Sequence, residues 1–215
     1  MTGLRTIVLA SSNAGKLKEL ELLLQPFGLE LKLQSEFGIE DADETGLTFI
    51  ENSILKARHA AVATGLPALA DDSGLEVDAL QGRPGIYSAR FASLEGFGQG
   101  DADNNKLLLN KLEGMSAPQR SARFRCVLTL FRFAEDPSPI VAEGSWEGRI
   151  LDAPSGDNGF GYDPLFFANE QQCVAAAMPR QEKARVSHRG KALQQLKARL
   201  EKALRHNHKA STGAD

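Results

Sequence analysis

Cysteine is scarce in this 215-residue chain: Cys126 and Cys173 are the only two, far apart and outside any C-x-x-C or His-rich spacing. That excludes a disulfide framework and a structural zinc site, and it fits a reducing compartment. Long apolar runs are missing as well. No stretch approaches the ~18 residues of a membrane span, and Met1-Thr2-Gly3-Leu4-Arg5 lacks the apolar centre of a signal peptide. A soluble, cytoplasmic protein is expected. Net charge is only −3, which argues against a general binder of nucleic acid or membrane surfaces. The balance is uneven, because residues 180–209 carry ten Lys/Arg and two acids and leave the remainder at −11. That segment reads either as a solvated basic helix or as a supply of phosphate anchors. No repeat and no linker divides the chain, so one domain is expected over residues 1–205, with a disordered tail from 206 to 215.

What is present centres on Leu69-Ala70-Asp71-Asp72-Ser73-Gly74-Leu75. Leu66 to Ala70 reads as a short buried strand, with Ser73-Gly74 as the turn that ends it. Adjacent acids at a strand end can offer hard oxygen ligands to Mg²⁺ and leave one group as a general base. They can equally cap backbone N–H groups in an Asx-type turn. Successive strand side chains diverge, so Asp71 and Asp72 should face opposite ways. Leu75 to Val77 is expected to pair back as a second short strand.

Elsewhere, Thr6 to Ala10 has the β-branched character of a buried strand. Ser11-Ser12-Asn13-Ala14-Gly15-Lys16 then leads into an amphipathic helix. A strand feeding a capped helix presents backbone N–H groups to an anion, and a lysine there adds a mobile charge. The segment is not a Walker A loop, which needs a glycine four residues before Gly-Lys and Ser/Thr after the lysine. Simple capping remains an alternative.

Glu30 to Gln34 alternates as a second strand, and Glu36, Glu40, Asp41, Asp43 and Glu44 follow as an acidic loop with the look of solvated surface. Thr48-Phe49-Ile50-Glu51 is a capping box that starts a helix ending near Ala63, with Gly65 beyond it. Asn52, Lys56 and His59 share one face of that helix. Asp101 or Asp103 should cap a further helix. Ser121 to Phe133 reads as a central strand with Ile140 to Ile150 as its hairpin partner. Gly156 to Phe167 combines glycines, aromatic rings and Asp163, which suits a flat heterocycle or a loop packed on the core. Ser187 caps a final helix through Leu193, Leu196, Leu200 and Leu204.

Six stretches together resemble one family, the inosine/xanthosine triphosphate pyrophosphatases. They are Ser12 to Lys16, Glu44 to Ala57, Ala70 to Leu75, Pro84 to Arg90, Gly159 to Pro164 and Ser187 to Gly190, in the family's order and with no departure at a motif position. The resemblance implies an α/β fold, an elongated two-lobed mixed sheet flanked by helices with the active site in the cleft between lobes. It also implies a homodimer and Mg²⁺-dependent hydrolysis of ITP, dITP or XTP to the monophosphate and pyrophosphate. Asn13, Lys16, Lys56 and Lys183 look like triphosphate ligands, with Ser11, Ser12, Ala14 and Gly15 in the same phosphate-facing stretch. Glu44 and Asp72 look like the metal site, and Asp72 also like the acceptor of a proton from the attacking water. Ser73 looks like a substrate contact. Phe160, Tyr162, Asp163, His188 and Arg189 look like the base-recognition set, with Gly161, Ser187 and Arg90 beside them.

The chemistry is consistent with this set. A triphosphate of about −4 charge can be neutralised by three lysines and one Mg²⁺, with helix N-termini adding donors. Attack at phosphorus asks for charge stabilisation and an oriented water rather than a Ser-His or Cys-His nucleophile. Two other readings compete. A pyrimidine-selective pyrophosphatase of similar fold carries Ser-x-Ser-Pro-Arg-Arg after its first strand, and this chain lacks it. A non-catalytic nucleotide sensor would need no general base.

Overall fold

The computed structural model describes the backbone of residues 5–11, 16–17, 20–21 and 24–212. Strands β1 (Arg5–Leu9), β2 (Leu29–Leu33) and β3 (Ala68–Val77) run parallel, β1 pairing with both of the others. Parallel neighbours require crossover connections. Helical residues that include Lys16, Leu17, Leu20, Glu21 and Leu24 lie between β1 and β2, and helix α1 (Phe49–Thr64) lies between β2 and β3. The strand order is β2-β1-β3-β5-β6-β7-β8, completed by β5 (Ser121–Phe131), β6 (Ile140–Ile150), β7 (Phe166–Ala168) and β8 (Cys173–Val174). The short β4 (Pro84–Gly85) pairs antiparallel with the end of β3. The sheet is mixed and open, with helices packed on it.

Helix α1 forms where its capping box places it. Thr48 Oγ1 accepts the amide of Glu51 at 3.2 Å, and the Glu51 carboxylate reaches back to the amide of Leu47 at 2.8 Å. Gly65 closes the far end. The buried face of α1 is made of Ala57, Ala60 and Ala61, which pack with Val8, Ala68, Ala70 and Phe131. Side chains this small let the helix axis come close to the sheet.

One expected element is different. Ser73-Gly74 is not a turn; β3 continues through it as a single ten-residue strand, and Leu75 to Val77 is its far end. The flanking Leu69, Ala70, Leu75 and Val77 are all fully buried, so apolar burial on both sides outweighs the local turn preference of Ser-Gly. Asp71 and Asp72 therefore sit mid-strand. The third helix is also capped differently from expectation: α2 (Phe91–Leu94) is followed by α3 (Gly100–Lys111), whose N-cap is Gln99. Asp103 serves from inside the helix, its carboxylate accepting the Gln99 amide at 2.9 Å.

The chain divides into two compact units. One comprises residues 1–72, 127–143 and 191–215, and the other residues 73–126 and 144–190. Each is assembled from separated stretches, which is why no linker is visible. The second unit has its own core, with Leu75, Phe91, Leu108, Trp146, Tyr162 and Phe166 among its buried members. Helices α4 (Arg180–Val186) and α5 (His188–Thr212) are the last elements among the described residues. No helix among the described residues is long and apolar enough to cross a membrane.

The β5–β6 connection is held by an acid that the sequence gave no reason to single out. Asp136, buried, accepts from Arg132 Nε at 2.8 Å, Arg132 Nη2 at 2.6 Å and the amides of Arg132 and Ser138. The Arg132 guanidinium, aided by those amides, holds the Asp136 carboxyl down at about 2. A carboxyl at about 2 against its ordinary 3.8 stabilises the fold by about 1 kcal/mol at neutral pH once screening of the half-exposed Arg132 guanidinium is allowed for. Because the folded-state value is depressed, that stability is complete above the unfolded value and is lost as pH falls toward 2. Asp136→Asn should lower the urea unfolding free energy by about 1 kcal/mol at pH 7 and converge on wild type near pH 2. Equal midpoints at pH 7 would disprove the assignment.

Candidate active site

Strand alternation separates the two acids as expected. On one side of β3, Asp71 Oδ1 accepts from Lys16 Nζ at 2.8 Å. On the other, Asp72 Oδ1 accepts from Lys56 Nζ at 2.5 Å, and Lys56 also donates to Glu44 Oε1 at 3.0 Å and to the carbonyl of Asp71 at 3.1 Å. Lys56 can do this because it lies on α1, between the strand and the acidic loop. Glu44 and Asp72, 28 residues apart in sequence, thus converge on one cationic group.

The electrostatics follow from burial. Asp72 is 7% exposed, and burial holds its carboxyl above the usual range; Lys56 pulls against that shift while Glu44 and Asp71 add to it. Burial likewise works against the charge on Lys56, but Asp72 and then Glu44 outweigh it and keep the ammonium protonated. Asp72 Oδ2 is buried and has no hydrogen-bond partner among the described residues. A bare buried carboxylate oxygen is costly unless something else engages it. Raised basicity and an open lone pair are what a general base requires.

Glu36, Glu40, Asp41 and Asp43 are exposed, as expected for most of the acidic loop, while its backbone and Glu44 are held. His59 Nε2 lies 3.2 Å from the Glu40 carbonyl oxygen, Lys56 holds the Glu44 carboxylate, and Asn52 Oδ1 accepts the Gly46 amide at 2.8 Å. The trio at i, i+4 and i+7 on α1 grips the loop at three points, in the reverse order of the chain.

In the second unit, Asp163 is buried at the centre of the glycine-aromatic loop. Its Oδ2 accepts the Phe160 amide at 3.0 Å and is ion-paired with Lys183. Lys183 Nζ also stands 5.3 Å from the Phe160 ring centroid. Gly159 has φ +85°, and a Cβ there would lie 2.1 Å from Asp163 Oδ2, so only glycine fits. Gly161 is anchored on both sides, its amide to Asp101 at 2.7 Å and its carbonyl to Asn105 at 2.8 Å. Phe160 is left 59% exposed.

A model described as the Ham1 family matches residues 7–199. The chain belongs to the Ham1 family. It is 56% identical to a protein of Vibrio cholerae named dITP/XTP pyrophosphatase, over 90% of this chain and 95% of that one. It is also similar to a solved HAM1 protein from Coxiella burnetii at 47% identity and a TM-score of 0.86, covering 93% of this chain and 100% of the other. The crystal structure of a nucleoside-triphosphatase / dITP/XTP pyrophosphatase from Mycobacterium abscessus matches at 41% identity and a TM-score of 0.74, over 89% and 97%.

Against the Ham1 pattern, several expected substrate residues occupy positions that sequence alone did not reveal. Tyr162 is 3% exposed and packs in the core, where it donates its hydroxyl to the Ser88 carbonyl at 2.9 Å. Burial raises its phenol well above the ordinary value. It braces the loop and leaves Phe160 as the loop's accessible aromatic face. His188 stacks at 4.8 Å on Phe124, which itself lies beside Trp146 and Phe166. Ser187 Oγ accepts the Gly190 amide at 3.3 Å, as its capping role requires, and Arg189 is buried beside it in sequence. Arg90 lies over the Tyr87 ring at 5.6 Å. Ser73 is half-buried in β3, and the Ser11 amide bonds the Leu9 carbonyl. Ser12, Asn13, Ala14 and Gly15 lie outside the described residues. Asn52, Asp101 and Asn105, which hold the backbone of the two loops, were not foreseen in that part. Asn52 left a trace in the sequence, its shared face with Lys56; the other two left none.

Proposed function

We propose that this Ham1-family chain hydrolyses non-standard purine nucleoside triphosphates (ITP, dITP and XTP) to the monophosphate and pyrophosphate in the cytoplasmic nucleotide pool. The observation that carries the reading is the buried Asp72 carboxylate, which shares Lys56 with Glu44 and holds one unengaged oxygen, in a chain 56% identical to a protein named dITP/XTP pyrophosphatase.

In this reading Asp72 Oδ2 takes the proton of the attacking water, whose oxygen bonds to the α-phosphorus as the bond to the bridging oxygen breaks and pyrophosphate leaves. Lys16 and Lys56 neutralise the phosphates, with Lys183 and Asn13 as further ligands. Glu44 and Asp72 would hold Mg²⁺. The donor set fits that ion: both groups are hard carboxylates that already converge on one cation, and Mg²⁺ usually takes one or two protein carboxylates with phosphates and waters. No larger cluster of His, Cys, Asp or Glu able to bind metal occurs among the described residues. When bound, the ion supplies charge stabilisation at the phosphates. Phe160 offers a stacking face for the purine, Asp163 and Lys183 fix the loop that carries it, and His188 and Arg189 stand at the N-terminus of α5. Hypoxanthine and xanthine present O6 as acceptor and N1–H as donor, and adenine the reverse. Donors set for O6 would be left unpaired against ATP, a mismatch able to support discrimination of about 10⁴–10⁵.

A pyrophosphate-release assay over a nucleotide panel tests this reading. ITP, dITP and XTP should turn over far faster than ATP or GTP, and only with Mg²⁺ present. Equal rates with ATP and ITP would sink the selectivity. The proposal extends to a homodimer, supported by the resemblance; a monomer by analytical ultracentrifugation at micromolar concentration would remove that part.

A further inference from the structure

We propose that Asn52 is a positioning residue for the metal site, fixing Glu44 through the backbone of the acidic loop. This rests on the reading of Glu44 as a metal ligand.

Asn52 is fully buried on the face of α1 that also carries Lys56. Its Oδ1 accepts the Gly46 amide at 2.8 Å, two residues from Glu44. The contact is tight enough to exclude any side chain at Gly46, where a Cβ would lie 2.7 Å from Asn52 Oδ1 and 2.6 Å from Glu51 Cβ. The neighbouring Leu47 amide is taken by Glu51, so the loop enters the helix along one path. Further back, Gln34 bonds Asp41 and His59 meets the Glu40 carbonyl.

Asn52 Nδ2, by contrast, is buried with no partner among the described residues. A residue serving packing alone would do better as an apolar side chain, since an unsatisfied buried donor is unfavourable. The amide oxygen is therefore the part with a job, and that job is the loop. Groups that orient metal ligands typically affect metal affinity by about 10–100-fold. Asn52 acts on Glu44 in that way without touching substrate, and Lys56, one turn along, holds the same carboxylate directly.

The test uses the full-length enzyme and Mn²⁺ alone, titrated by electron paramagnetic resonance, alongside the Mg²⁺ concentration for half-maximal activity and the melting temperature. Asn52→Ala should weaken Mn²⁺ binding and raise the Mg²⁺ requirement about tenfold, with kcat at saturating Mg²⁺ largely retained. Asn52→Asp keeps an acceptor for the Gly46 amide and should stay within threefold of wild type. Gly46→Ala, which pushes the loop off Asn52, should reproduce the alanine phenotype, and it decides the matter if Asn52→Ala does not fold. Unchanged Mn²⁺ affinity in Asn52→Ala or Gly46→Ala, or an equal loss in Asn52→Asp, overturns the inference. Glu44→Gln run in parallel separates the two levels. If it too leaves Mn²⁺ binding intact, the reading of Glu44 has failed; if it alone loses the metal, only the role of Asn52 has.

Discussion

Asp72→Asn should lower kcat about a thousandfold even at saturating Mg²⁺ and ITP, within the range for loss of a positioned general base, while the melting temperature stays close to wild type. The fold has little to lose. Burial disfavours the Asp72 charge, so the neutral amide of the same size relieves desolvation. Lys56 keeps Glu44 and the Asp71 carbonyl as partners. Turnover has everything to lose, because the amide cannot take a proton from water. Pyrophosphate release under saturating ITP, together with a thermal melt, measures both halves. Retained activity would move the base to Asp71 or to a metal-bound hydroxide. A collapse of the melting temperature would show Asp72 to be structural.

Asp163→Ala tests the glycine-aromatic loop of the second unit. It removes the acceptor of the Phe160 amide and the partner of Lys183 together. Hydrogen bonds to charged groups are worth about 1.5–3 kcal/mol, so KM for ITP should rise about 10- to 100-fold as the loop loses its shape. The preference for ITP over ATP should narrow with it. Gly159→Ala should move KM in the same direction by a smaller amount, since its new Cβ displaces the Asp163 carboxylate. A KM within twofold of wild type in Asp163→Ala would remove this loop from base recognition. The two variants split cleanly, one falling on kcat and the other on KM and selectivity.

How much of this was legible depended on how local the cause is. The α1 helix was readable to within a residue because Thr48, Glu51 and Gly65 lie within one continuous stretch and act on each other. The long β5 strand was readable because Cys126 to Phe131 is apolar on both faces. Ser73-Gly74 misled because turn preference is local, whereas the burial of Leu75 and Val77 is a property of the whole second core. Tyr162 and Phe160 are two residues apart in one aromatic loop, and no pattern distinguishes the ring that packs from the ring that is exposed. The acidic loop looked solvated because its partners are 12 to 19 residues away: Lys56 for Glu44, His59 for Glu40. The stack of His188 on Phe124 joins residues still farther apart, and only coordinates show it.

The interleaving of the two units bears on synthesis as well as on structure. The first unit begins with residues 1–72 yet is completed only by residues 191–215, while all of the second is made in between. At about 5–20 residues per second, β1 and β2 wait on the order of ten seconds for the last helix that belongs with them. Neither unit corresponds to a contiguous fragment that could be expressed alone. Contacts of such long sequence separation also make for slow folding. A nascent chain paused before residue 191 therefore already holds every member of the cluster around Val8, Ala68 and Phe131 but still lacks the 191–215 stretch that closes the first unit.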